Sequence, residues 1–137
     1  MKTYRAQRSY PRAGEVQCRI AVVEGEQPQQ VAYPLRPARV AGETHPVGSA
    51  WDWGYAGTAP RELARALLAD CFGRKWAARP ELYEALMKDI VAALAKPGWE
   101  LREHDLAAWA QAWALEHGER DLAALAALVY ARTSAHP

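Results

Sequence analysis

The first forty residues alternate apolar and polar side chains, the pattern typical of β-strands. Between residues 16 and 22 every second side chain is apolar, and Arg19 is among the polar residues opposite. The apolar face consists of Val16, Cys18, Ile20 and Val22. Residues 2–8 and 30–35 are predicted as two further strands, and Pro34 places the second at an edge or an end of a sheet.

After residue 60 the apolar positions recur three and four residues apart, which predicts amphipathic helices. Pro80 fits the first turn of one helix, Asp105 can cap another, and Gly118 can end that helix in the left-handed conformation. Trp99–Leu101 is predicted as a brief extended link. The four helical stripes run from Leu63 to Phe72, from Leu82 to Leu94, from Leu106 to Trp113 and from Leu122 to Val129.

Strands first and helices afterwards indicate an α+β fold. We expect a small antiparallel sheet of three or four strands followed by about four helices, with irregular structure over residues 36–49.

Residues 51–60, WDWGYAGTAP, join the two halves. On a strand, Trp51, Trp53 and Tyr55 would share one face, where they would form the hub between sheet and helices. Thr58 can cap the following helix, and Pro60 suits its first turn. A structural joint is the favoured interpretation, and a partner-binding aromatic surface or a small-ligand site are the alternatives.

This stretch resembles the signature of an uncharacterised family of small bacterial and phage proteins, a domain of unknown function, whose centre reads F-x-W-G-Y-x-G-S-G-P-x-x-L-A. The sequence departs from it at Trp51, Ala56 and Ala59. The resemblance implies a family α+β domain over residues 1–110 and a C-terminal helical extension over residues 111–137, packed on the same core. It is carried by Trp53, Gly54, Tyr55, Gly57, Thr58, Pro60, Leu63 and Ala64.

Composition describes a single soluble domain of 137 residues, half of them hydrophobic, with a net charge of +1. The sequence has neither a secretory leader pattern nor an apolar run of about 18 residues, so a cytoplasmic protein is expected, with Cys18 and Cys71 as free thiols. Residues 1–40 hold seven basic and three acidic residues, a surplus of four. A nucleic-acid-binding sheet would use Arg5, Arg8, Arg12, Arg19, Arg36 and Arg39.

Trp76 lies between helices and among basic residues. It is either a core lid over the first two helices or an exposed aromatic for an acidic protein or a nucleic acid. The candidate partner-binding residues are Trp51, Trp53, Tyr55, Arg74, Lys75, Trp76 and Arg79.

The sequence contains no catalytic motif, so no catalytic, cofactor or metal site is expected. The four histidines, His45, His104, His117 and His136, are not at metal-ligand spacing. The function that the sequence favours is a non-enzymatic interaction module, an accessory or anti-defence protein of phage or mobile-element origin that binds a host protein. The alternative is a nucleic-acid-binding protein with a basic N-terminal sheet.

The last helix also suggests self-association. Leu128 points away from the row formed by Leu122 and Leu125, on a helix otherwise rich in alanine. A second copy could pack against this surface, so a homodimer is a further expectation.

Overall fold

The computed structural model describes residues 1–26, 28–38 and 51–134. Its strands are β1 Lys2–Ser9, β2 Gln17–Glu24, β3 Val31–Pro34 and β4 Gly98–Arg102. Its helices are α1 Thr58–Phe72, α2 Arg74–Ala77, α3 Pro80–Asp89, α4 Glu103–Glu116 and α5 Arg120–Ser134, with a 3-10 turn at Val91–Ala93. The strands form one antiparallel sheet of order β3-β2-β1-β4, which confirms the α+β fold.

The inner face of the sheet follows the predicted alternation. Tyr4 and Ala6 of β1 stand opposite Val22 and Ile20 of β2, and all four side chains are buried. Val16 is the exception, because it precedes β2 and is 54% exposed. The predicted edge position of β3 is confirmed.

The predicted extended link at residues 99–101 is instead part of β4. This strand lies at the opposite edge from β3, where Leu101 pairs with Tyr4 and Trp99 with Ala6 of β1. Five residues are too few to show a strand period, so only their pairing with β1 reveals the strand.

Three of the four helical stripes are confirmed. The predicted stripe from Leu82 to Leu94 is divided, because α3 ends at Asp89 and a 3-10 turn follows at Val91–Ala93. Two predicted caps are also wrong. Thr58 is the first residue of α1 rather than its cap, and no side-chain hydrogen bond caps that helix. Likewise α4 begins at Glu103, two residues before Asp105, without a side-chain cap. Gly118 does follow α4 with a φ of +70°, as the C-terminal signal predicted.

Helices α4 and α5 belong to the same core as the sheet. Leu106 and Ala110 of α4 and Leu122 and Ala126 of α5 are buried in one cluster with Tyr4. Residue 110, the predicted boundary of the family domain, lies inside α4.

Candidate functional site

Trp53 is the centre of the WDWGYAGTAP segment, and its side chain is fully buried. Its Nε1 donates hydrogen bonds to the carbonyl oxygens of Ala95 and Lys96, at 2.9 and 3.1 Å. The ring meets Trp99 edge-to-face, with centroids 5.7 Å apart. Trp53 was a predicted partner-binding residue, but a fully buried ring cannot reach a partner. It instead ties the start of α1 to the turn before β4.

Arg8 of β1 and Asp52 lie beside Trp53, where the segment before α1 meets the turn before β4. This region is called the Trp53 junction. The Arg8 guanidinium forms an ion pair with Asp52, donates from Nε to the Lys96 carbonyl at 3.1 Å, and lies 5.3 Å from the Trp53 ring centroid. Arg8, which was predicted to contact nucleic acid, therefore makes its contacts within the protein.

The Asp52 carboxylate accepts hydrogen bonds from the Trp53 amide at 2.8 Å and from the Tyr55 hydroxyl. Burial alone would raise the pKa of Asp52, but these hydrogen bonds and the charge of Arg8 outweigh burial and lower it. Asp52 is thus ionised and used in structural contacts.

The three aromatic side chains do not share a face. Residues 51–57 form a connection with bends rather than the expected strand. Trp51 is half-buried, and Tyr55 is 41% exposed with the Lys96 ammonium 4.5 Å from its ring centroid. Trp51 and Tyr55 are the members of the aromatic set that remain accessible.

Trp76 is a core residue, as the first of its two interpretations predicted, and the alternative of an exposed aromatic is wrong. Its side chain is 5% exposed within α2, and the cations of Lys75 and Arg79 lie 4.9 and 5.8 Å from the ring centroid. Arg79 also pairs with Glu119 at the start of the segment that leads into α5. Arg74 is exposed. These cations cover a buried ring instead of flanking an open one.

The predicted nucleic-acid residues are scattered over the surface. Arg5 and Arg19 lie on the outer face of the sheet, and Arg5 pairs there with Glu100 at 3.0 Å. Arg12 and Arg36 are exposed in connections. Arg39 lies outside the described residues.

A hollow of about 540 Å³ opens where β3 ends against β2. Strand β2 begins at Gln17, whereas the pairing with β3 stops at Ala21 and Pro34, which leaves the first part of β2 without that neighbour. The hollow is lined chiefly by apolar side chains, and the charged side chain of Arg19 also lines it. The lining includes Cys18, Ile20, Tyr33, Leu35 and Trp51. Sequence reasoning did not find this site, because it depends on the two strands having different lengths.

Cys18 is a free cysteine that lines this hollow, and burial raises the pKa of its thiol. The pKa of Cys71 in α1 is also raised, by burial and by the charge of Glu103. Because the thiolate is the nucleophilic form, both thiols are poor nucleophiles at neutral pH.

A polar cluster that the sequence did not predict lies at the other end of the sheet. The Tyr4 hydroxyl donates to Asp70 at 2.8 Å, and the Lys2 ammonium lies 3.4 Å from the same carboxylate. Nearby, Glu103 is 1% exposed and accepts a hydrogen bond from Arg132 at 2.7 Å. The groups come from β1, α1, α4 and α5, so no local motif marks them.

Two histidines in the described part of the chain make structural contacts. His104 is hydrogen-bonded to Thr133 at 2.8 Å and stacks on Tyr130, whereas His117 stacks on Trp113. Over the ranges that the structure describes, no three His, Cys, Asp or Glu side chains converge as metal ligands, and no helix is long and apolar enough to cross a membrane. His45 and His136 lie outside those ranges.

Comparison with known proteins places the chain by family. Neither the curated proteins nor the solved structures contain a significant match to it. One family model matches residues 14–112, which is most of the chain and includes the hollow, Trp53 and the start of α4. The chain therefore belongs to the family of unknown function DUF6166.

Proposed function

We propose that this protein is a non-enzymatic interaction module that binds a host protein, as an accessory or anti-defence protein of phage or mobile-element origin. The observation that carries the proposal is the apolar hollow beside Trp51, at a place where the pairing of β2 with β3 ends. Concave apolar sites with a few polar groups at the rim are where proteins take ligands and partner side chains.

The polar clusters support binding rather than catalysis. Asp52 is engaged by Arg8 and the Trp53 amide, and Asp70 is engaged by Tyr4 and Lys2. These two carboxylates are thus held in ion pairs and hydrogen bonds within the fold. The two free thiols accord with a cytoplasmic location, which is part of the proposal.

Affinity capture from a host lysate tests this function by comparing the wild-type chain with variants of the hollow. We expect the wild-type chain to retain a specific host protein, and Trp51→Ser to lose it, because the substitution removes the aromatic wall of the hollow. Tyr55→Ser tests whether Tyr55, the second accessible aromatic side chain, also contributes to retention of the host protein. The control is Leu115→Ser, since Leu115 is 67% exposed on α4 and does not line the hollow. Retention that is equal in the wild type and Trp51→Ser would count against the proposal.

The alternative is nucleic-acid binding by the outer face of the sheet. The observation in its favour is that Arg5 and Arg19 stand on that face, with a shallow hollow of about 430 Å³ between their strands and β4. Such binding should weaken steeply with salt, because phosphate contacts release counterions. A gel-shift series at low salt with single- and double-stranded oligonucleotides is the test, and Arg5→Glu with Arg19→Glu should abolish any shift.

A further inference from the structure

A polar hollow of about 360 Å³ lies at the end of the sheet where β1 begins and β2 ends. Side chains from five elements meet there, and both signs of charge are present. The described residues that line it are Met1, Lys2 of β1, Glu24 of β2, Cys71 of α1, Glu103 of α4 and Arg132 of α5. Two cationic and two anionic side chains balance each other, so the hollow suits a ligand that carries both charges.

Glu103 is the most buried charged group of this hollow. Its side chain is 2% exposed, and its Oε1 accepts a hydrogen bond from Arg132 at 2.7 Å. A carboxylate that is removed from water destabilises a fold unless a cation or several donors pair with it. The Glu103 carboxylate therefore requires a positive charge beside it.

The cation that supplies this charge comes from an exposed side chain. Arg132 is 68% exposed, so its guanidinium reaches Glu103 from the solvent side of the hollow. Lys2 is engaged elsewhere, because its ammonium lies 3.4 Å from the Asp70 carboxylate. An exposed guanidinium returns to water at little cost. A ligand cation can therefore take the place of Arg132 at Glu103.

We propose that the polar hollow binds a small guanidino acid, a molecule with a guanidinium at one end and a carboxylate at the other. The ligand guanidinium donates to Glu103, and the ligand carboxylate accepts from the displaced Arg132. Glu103 and Arg132 thus both keep an opposite charge, which a ligand with a cation alone would not achieve. A guanidinium suits this place because its planar fork can donate two parallel hydrogen bonds to one carboxylate.

The dimensions of the hollow favour a small molecule. Its volume of about 360 Å³ is near the lower end of the range for ligand sites in proteins. It shares no lining residue with the apolar hollow beside Trp51. The inference therefore goes beyond the proposed protein-binding function and does not depend on it.

Isothermal titration calorimetry with three probes tests the ligand chemistry. γ-Guanidinobutyrate carries both charged ends, butylguanidine lacks the carboxylate, and butyrate lacks the guanidinium. We expect the first to bind with a dissociation constant of about 0.1–1 mM, because a small ligand that replaces an existing ion pair gains little net free energy. Butylguanidine should bind about tenfold more weakly, and butyrate should not bind. Equal binding of the first two probes, or no binding of the first at about 10 mM, would overturn the assignment.

Substitutions of the two paired residues locate the site. Arg132→Gln removes the partner of the ligand carboxylate, so γ-guanidinobutyrate and butylguanidine should bind equally to this variant. Glu103→Gln should bind neither probe. The control is Arg120→Gln, the same change at an exposed position on the same helix, which should keep the wild-type preference. A preference for the carboxylate that persists in Arg132→Gln would contradict the proposal.

Far-UV circular dichroism verifies that each variant folds. If Glu103→Gln does not fold, Arg132→Gln still decides the question, because its side chain is exposed and its replacement leaves the core intact.

Chemical-shift mapping by NMR gives an independent readout. Addition of γ-guanidinobutyrate should shift the backbone amides of Lys2, Glu103 and Arg132 and leave those of Cys18 and Trp51 unchanged. Shifts at Cys18 and Trp51 without shifts at Glu103 would place the ligand in the other hollow, and the proposal would then be wrong.

Discussion

Trp53 and Trp99 meet edge-to-face at an interplanar angle of 88°, and this contact joins the segment before α1 to the last strand of the sheet. Trp53 and Trp99 are far apart along the chain, so the two rings can meet only when β4 is paired with β1. The contact therefore belongs to the assembled core and not to a local motif.

Removal of the Trp53 ring should destabilise the fold strongly. We expect Trp53→Ala to lower the free energy of unfolding by about 3–5 kcal/mol, because it leaves a cavity and two carbonyl acceptors without their donor. Tyr55→Ala is the control, since Tyr55 is 41% exposed and should cost much less. Urea denaturation followed by circular dichroism measures both, and similar midpoints for wild type and Trp53→Ala would remove Trp53 from the core.

Gly54 is required by its backbone conformation and by its surroundings. Its φ is +83°, and a Cβ there would lie 2.9 Å from Cε of Lys96 and 3.1 Å from the Leu94 carbonyl oxygen. We expect Gly54→Ala to destabilise by about 1–3 kcal/mol. Gly118→Ala is the matched control, because Gly118 has a φ of +70° with no atom within 4 Å of an added Cβ. Thermal melts should show the larger loss for Gly54→Ala.

Asp52 should make stability depend on pH in the acid range. Its folded pKa lies below the ordinary value of 3.8, so the ionised carboxylate stabilises the fold above pH 3.8 and loses this effect as the pH falls through the lowered value. Asp52→Asn should therefore be less stable than wild type at pH 6, and the difference should shrink below pH 3.8. Urea melts from pH 2.5 to 6 measure it. A constant difference across that range would contradict the lowered pKa.

The exposed stripe of α5 predicts a weak homodimer. Leu128 is 69% exposed, and Asp121 and Arg132 lie eleven residues apart, which is close to three helical turns and puts them on one flank of the stripe. In the predicted dimer, a two-fold axis midway between Ala124 and Leu128 would set each Leu128 on the small Ala124 of the other copy and would bring Asp121 near Arg132 across the interface.

Sedimentation equilibrium from 5 to about 500 μM, concentrations that span a weak interface of one helix pair, should show the mass rising above 15.2 kDa toward twice that value. Leu128→Glu should remain monomeric. The double exchange Ala124→Leu with Leu128→Ala preserves the large-to-small match and should restore the dimer. Val16→Glu is the control on an exposed residue outside α5. A wild-type mass of 15.2 kDa throughout would exclude this dimer.

Much of the fold could be predicted because its information is local. The alternation at residues 16–22 and the helical stripes beginning at Leu63 and Leu82 report most of the side chains that face the apolar interior, with exposed Val16 as an exception. Such patterns can be recognised without knowing the surface against which the helix or strand packs, because burial requires only that one face be apolar. Helix starts moved by one residue at Thr58 and by three residues at Asp105, where a cap was inferred from side-chain type.

The candidate site was less predictable, because it depends on contacts between distant segments. The sequence by itself determined that Trp51, Trp53 and Tyr55 lie near the joint of sheet and helices. Only the tertiary structure decided that Trp53 is buried while Tyr55 stays exposed, since the bends after residue 53 break the period of two. The hollow beside β2 was likewise decided by where β3 ends, and backbone pairing of this kind leaves no mark in the side-chain pattern.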